Sequence, residues 1–254
     1  MKKLLAPVLA AVVALASPAI VLADTLNAAV AANFTKTIEE IGAAFKEKTG
    51  HEVKFSFGPT GKLYAQIKNG APFDLFFAAD TDKPEMLVKE GLVKEGSYFV
   101  YAQGVLALYS PSLPVKEGYK DVLGKAEFAH LSIANPKTAP YGAAAEEVLK
   151  KLGVYDTVKP KIVNGESIAH AFQYVQTGNA PLGFVALSQI VDPQSPAYGK
   201  GEYWLPGQDM YAPINQGAVI LKRAENNPVA QQFIDYLRSD EGRKVIERYG
   251  YSIP

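Results

Sequence analysis

The chain of 254 residues has no cysteine, one tryptophan and three histidines. Without cysteine there is no disulfide, no thiolate nucleophile and no lipid attachment through an N-terminal Cys. The histidines, His51, His130 and His170, share no H-x-x-x-H or similar spacing, so the sequence carries no signature of a metal centre. An excess of positive charge is missing as well. Twenty-six basic residues face 26 acidic ones, which excludes the basic stripe of a nucleic-acid binder. An anion bound here must be held by local geometry against a nearly neutral overall field. Long apolar runs occur in one place only, at the N-terminus.

That run reads as a signal peptide. "MKK" is a basic n-region, and "LLAPVLAAVVALASPAIVLA" is an apolar stretch ending in small residues. Val21-Leu22-Ala23 fits a small-x-small cleavage site, so residues 1–23 are expected to be removed and the mature chain to start at Asp24. Pro7 and Pro18 interrupt the run and argue against a retained membrane span. The expected product is a soluble exported protein of 231 residues with 24 basic and 26 acidic side chains. That length suits one large domain or two lobes.

The rest of the chain alternates strand-like and helix-like segments, which predicts an α/β fold with largely parallel pairing. "TLNAAVA" reads as a strand. Phe34, Ile38, Ile41 and Phe45 then recur at helical spacing, with Asn33 as N-cap and Gly50 as terminator. "HEVKFSF", "FDLFFAAD", "AHLSIAN", "KPKIVNG", "PLGFVAL" and "PINQGAVILK" are further strands. Helices are expected at "KLYAQIKNG", "PEMLVKEG", "AAAEEVLKKLG", "ESIAHAFQYVQTG" and from Asn227 to Tyr251. Four strand-to-helix junctions carry small or polar residues: Ala32-Asn33, Thr60-Gly61, Tyr141-Gly142 and Ser167-Ile168. Parallel α/β sheets bind ligands at such junctions, where free N–H groups and the positive end of the helix dipole face outward. Two junctions fall early and two late, as two lobes facing one cleft would require. Every α/β protein makes such junctions, so the pattern alone does not separate a ligand site from ordinary caps.

Enzyme motifs fit less well. "GPTGK" has two residues between its glycines where a nucleotide-binding P-loop has four, and Leu63 stands where Ser or Thr would hold magnesium. "GESIA" nearly matches the G-x-S-x-G elbow around Ser167, but its last Gly is Ala. His170, one helical turn beyond Ser167, is the last histidine of the chain. The pairs Glu39-Glu40 and Glu146-Glu147 diverge on a helix and read as solvated faces. Lys62 is expected to face solvent. Asp74 and Asp80 are expected in capping or turn roles, and Trp204 in packing.

Four segments together resemble the periplasmic molybdate-binding proteins of ABC transporters. They are "AAVAANF", "FGPTGKLYAQIKNGAPFDLFFAAD", "NPKTAPYGAAAEEVL", and "LGFVALSQI" followed by "YAPINQGAVIL". The resemblance implies the type II periplasmic binding fold, two α/β lobes joined by two crossovers with an oxyanion between them. It divides the chain into lobe one (24–106), lobe two (107–214) and a segment returning to lobe one (215–254). It implies that Ala32 and Asn33 offer backbone N–H groups, Thr60 its hydroxyl and N–H, and Tyr141 and Ile168 their N–H groups. The ligand would be molybdate, and tungstate with it, bound without a cationic side chain. No catalytic residue, cofactor or metal cation is implied, and the partner would be a membrane ABC permease serving a monomer. Enterobacterial members have Ser where Asn33 stands and a Tyr hydroxyl after the "GFV"-like strand, where this chain has Ala186-Leu187. A sulfate-binding protein and a secreted serine hydrolase using Ser167 remain as alternatives.

Overall fold

The computed structural model describes residues 25–253. The expected signal peptide and the expected start at Asp24 lie outside the described residues. In the first half of the chain the elements are β1 (Thr25–Ala31), α1 (Thr35–Thr49), β2 (Glu52–Gly58), α2 (Thr60–Lys68), β3 (Leu75–Phe77), α3 (Asp82–Lys89), β4 (Phe99–Gly104), β5 (Leu106–Ser110) and α4 (Val115–Lys125). Next come β6 (Leu131–Ala134), α5 (Pro140–Lys151), α6 (Tyr155–Val158), β7 (Ile162–Gly165), α7 (Ile168–Gln176), β8 (Leu182–Ala186), α8 (Ser188–Val191) and β9 (Glu202–Trp204). The last are β10 (Ile214–Ile220), α9 (Pro228–Arg238) and α10 (Asp240–Arg248).

These strands form two five-stranded sheets, ordered β2-β1-β3-β10-β4 and β7-β6-β8-β5-β9. The chain crosses from the first to the second at Val105, between β4 and β5, and returns between β9 and β10. We call the halves built on these sheets lobe one and lobe two. The expectation of largely parallel pairing needs correction. β1 pairs in parallel with β2 and β3, and β6 with β7 and β8. β10 is antiparallel to β3 and β4, and β5 to β8 and β9. A strand that enters from the other lobe needs no βα crossover within its sheet, so it is free to run antiparallel.

β1 shows why the sheets need helices on both faces. Leu26, Ala28 and Val30 alternate with Ala29, and period-2 geometry sends the two sets to opposite sides. The first set packs with Ile38, Ile41, Phe45, Phe233 and Ile234 from α1 and α9. Ala29 packs with Leu63, Ile67 and Leu87 from α2 and α3. Lobe two has its own core around Leu131, Val148, Leu149, Leu182 and Phe184, and that core extends to Ala31, Ala32 and Ala79 of lobe one. The two lobes are therefore shut against each other. α1 ends as expected, with Gly50 at φ 78° and its N–H on the Lys46 carbonyl. Gly is favoured there because the left-handed conformation costs it nothing.

Candidate functional site

All four expected junctions meet at one buried cavity between the lobes. Its wall includes Ala32, Asn33, Thr60, Tyr141 and Ile168, with Gly58, Pro59, Ala79 and Pro140 between them. Its free volume is about 10 Å³, far below the ~300–1,000 Å³ usual for organic ligands. Thr60 and Tyr141 are each 1% exposed. No Lys, Arg, His, Asp or Glu lines this wall among the described residues. The cavity suits a compact group that needs hydrogen-bond donors and no counter-charge.

The donors come from chain geometry. Thr60 is the first residue of α2, Tyr141 the second of α5 after Pro140, and Ile168 the first of α7. First-turn N–H groups have no acceptor within their own helix. Three helices from two lobes thus aim such groups, and the positive ends of their dipoles, at one point. Asn33 sits in a single 3₁₀ turn, Ala32–Phe34, ahead of α1. The Thr60 hydroxyl accepts the Ala79 N–H at 2.9 Å, which leaves its own hydrogen to donate into the cavity. Behind Tyr141, Gly142 allows close approach: a Cβ there would lie 2.2 Å from the Ala134 carbonyl oxygen.

Several expectations change here. Asn33 is not a side-chain cap; the residue before α1 is Phe34, and no side chain caps that end. Instead the Asn33 Nδ2 donates to Gln216 Oε1 at 2.8 Å and to the Tyr251 hydroxyl at 3.1 Å. Lys62 does not simply face solvent; it forms an ion pair with Glu166 across the cleft mouth. Glu166 also lies 3.9 Å from His170 Nδ1. Ser167 caps α7, accepting the His170 N–H at 3.4 Å. The acidic pairs are not merely solvated. Glu40 bonds Arg248 and the Tyr249 hydroxyl, and Glu147 accepts the Ala212 N–H.

Asp80 has the expected turn role, accepting the Lys83 N–H at 2.9 Å just ahead of α3, and burial raises its carboxyl above the ordinary carboxylate value. It lines an adjoining open groove of about 360 Å³. Asp74 is not a cap; it accepts the Asn27 N–H and the Arg223 Nε. Trp204 packs as expected, stacked on Tyr119 at 3.7 Å between ring centroids. Gln216, Ser188 and Tyr251, which surround Asn33, were not singled out by sequence. They lie 183, 155 and 218 residues from it, and no local pattern connects them.

The model of the bacterial extracellular solute-binding proteins matches residues 26–252. The chain belongs to this family. Within the solute-binding proteins it is similar to the molybdate-binding protein ModA of Rhodobacter capsulatus, with 47% identity over 97% of this chain and 94% of that one. It is also similar to the ModA of Azotobacter vinelandii, at 52% identity over 91% of each chain. Among solved structures it matches the periplasmic molybdate-binding protein of Azotobacter vinelandii. The TM-score is 0.85 at 39% identity, over 90% of this chain and 99% of that one. The two-sheet architecture is thus that of the periplasmic binding proteins.

Proposed function

We propose that this solute-binding protein captures molybdate, and tungstate with it, in the periplasm and delivers it to a membrane ABC permease. The observation that carries this reading is the cavity. Donors from four junctions in both lobes converge on it, and no charged side chain lines it among the described residues. A small tetrahedral dianion is all acceptor, so it matches such a wall. The similarity to two molybdate-binding proteins at 47% and 52% identity supports the choice of anion.

The residues that hold the anion are the N–H groups of Ala32, Asn33, Tyr141 and Ile168, with the N–H and hydroxyl of Thr60. The protein acts as a monomer without catalysis or cofactor. Lobe one spans residues 24–106 and 215–254, lobe two spans 107–214, and residues 1–23 are the export signal. The use of Ser167 as a helix cap supports a binding role over a hydrolytic one. Calorimetric titration with molybdate, tungstate, sulfate and phosphate tests the reading. Tight one-to-one binding of molybdate and tungstate is expected. Heat from sulfate alone would overturn it.

A further inference from the structure

Asn33 is held at more points than an anion contact requires. Its side-chain amide donates to Gln216 Oε1 and to the Tyr251 hydroxyl. Gln216 is fixed in turn, because Oε1 also accepts the Tyr101 hydroxyl at 2.9 Å, and that hydroxyl bonds the Ala78 carbonyl at 3.0 Å. The Asn33 carbonyl receives two hydroxyls, Tyr251 at 2.7 Å and Ser188 Oγ at 3.0 Å. The Tyr251 hydroxyl and Ser188 Oγ are also 3.0 Å apart. With both Nδ2 hydrogens and its carbonyl committed, Asn33 has its backbone N–H as the remaining donor for the cavity.

These holders fall into two groups. Tyr101, Gln216 and Tyr251 stand with Asn33 in lobe one: Tyr101 on β4, Gln216 on β10, and Tyr251 beside Ser252, whose N–H bonds the Gln103 carbonyl of β4. Tyr251 packs edge-on against Phe34 at 5.3 Å. Ser188 alone comes from lobe two, as the first residue of α8. It is buried, and its bond to Asn33 and its contact with Tyr251 exist only while the lobes are together.

We infer that Ser188 and Tyr251 form a latch across the cleft, in which the Ser188 hydroxyl clasps the Asn33 carbonyl on closure and holds the Asn33 N–H toward the bound anion. This rests on the function proposed above and concerns its regulation: Ser188 is a positioning residue that slows release. It touches no ligand. Opening the cleft returns its hydroxyl to water, so its bonds count only in the closed form. The Asn33 carbonyl keeps Tyr251 as partner when Ser188 is replaced, so no buried acceptor is orphaned in the variant.

The test compares the full wild-type chain with Ser188→Ala, Tyr251→Phe and the double variant. Dissociation of labelled molybdate is followed after dilution into excess unlabelled anion. One neutral buried bond gives an expected three- to tenfold faster release for Ser188→Ala. The association rate and the melting temperature of the ligand-free protein should stay unchanged. Tyr251→Phe should release faster too, and should also lower the ligand-free melting temperature, because it leaves one of the two Asn33 Nδ2 hydrogens without its partner. Since the two hydroxyls share the Asn33 carbonyl as acceptor and lie 3.0 Å apart, the double variant should release more slowly than the product of the single effects predicts. Unchanged release in Ser188→Ala overturns the latch. A loss confined to association rate or to ligand-free stability overturns it as well, because both are outcomes of a merely structural hydroxyl. Ser188→Thr keeps the hydroxyl and should restore slow release. A wild-type chain that takes up no molybdate would instead refute the function itself, and the latch with it.

Discussion

In lobe one the residues that line the cavity rest on buried polar groups; in lobe two they rest on closely packed backbone. Thr60 is braced by the Ala79 N–H, and Asn33 by Tyr251, the Ser188 hydroxyl and Gln216, which Tyr101 holds in turn. Burial raises the phenol of Tyr101 well above its ordinary range and pushes that of Tyr251 up to about 12. Both therefore stay protonated donors at neutral pH. In lobe two, Tyr141 and Ile168 offer backbone N–H groups from helices set directly onto strand ends. Gly142 there lies against the Ala134 carbonyl, and Gly165 lies so close to α7 that a Cβ would come within 2.4 Å of the Ala171 nitrogen. Both designs hold a peptide N–H still, the first through hydrogen bonds and the second through shape. A polar brace loses one bond when a partner is removed, whereas a tight backbone contact cannot admit even a methyl group.

The largest effect is expected at Gly142. Gly142→Ala places a methyl against the Ala134 carbonyl, and the first turn of α5 must move. Overpacking of this kind costs about 1–3 kcal/mol, so molybdate affinity is expected to fall up to roughly a hundredfold. Titration beside thermal unfolding would measure both effects. Wild-type affinity in this variant would mean that lobe two tolerates movement and that the contrast is wrong.

Thr60 sharpens the polar side. A hydroxyl donating to a buried dianion contributes about 1.5–3 kcal/mol. Thr60→Val keeps the shape and is expected to bind molybdate roughly ten- to a hundredfold more weakly. Thr60→Ser keeps the donor and the Ala79 bond, and should retain most of the affinity. Equal losses in the two variants would assign the residue to packing instead.

Phosphate tests both halves together. Near neutral pH it carries one or two protons, and each P–O–H needs an acceptor, while no carboxylate lines this wall among the described residues. An unmatched buried polar pair costs about 1–3 kcal/mol, so phosphate should compete roughly five- to a hundredfold less well than its size allows. Sulfate makes the same demand for donors as molybdate, and cavity size alone is left to reject it. Displacement of labelled molybdate by phosphate at comparable concentration would show that an acceptor faces the cavity.

The smallest effect is expected at the rim. Lys62 and Glu166 join the lobes, yet each side chain is about half exposed. Exposed ion pairs are worth about 0.2–1 kcal/mol. Lys62→Ala should change affinity less than about fivefold, and the difference should fade at high salt as screening shortens the reach of charge. A salt-independent loss larger than that of Thr60→Val would move the anion contact from the hydroxyl to the ammonium.

Local structure was legible because its causes are local. The period-2 run Thr25–Ala31, the helical spacing from Phe34 to Phe45, Gly50 at a left-handed stop and Ser167 at a cap each depend on a dozen residues or fewer. So do the four junctions, and the five residues expected at the anion do line one cavity. Helix α4 escaped notice because Gly118 and Gly124 weaken the helical pattern of "VKEGYKDVLGK", and its packing against β9 compensates. Tertiary structure alone decided the mixed sheets, since β10 runs antiparallel only because it returns from the other lobe to lie between β3 and β4. It also decided what Asn33 does. An asparagine before a helix carries the local chemistry of a cap, but Gln216 and Tyr251 reach it from 183 and 218 residues away. Its amide went to them because a buried donor bonds whichever acceptor the closed fold brings within reach, and sequence spacing says nothing of that distance.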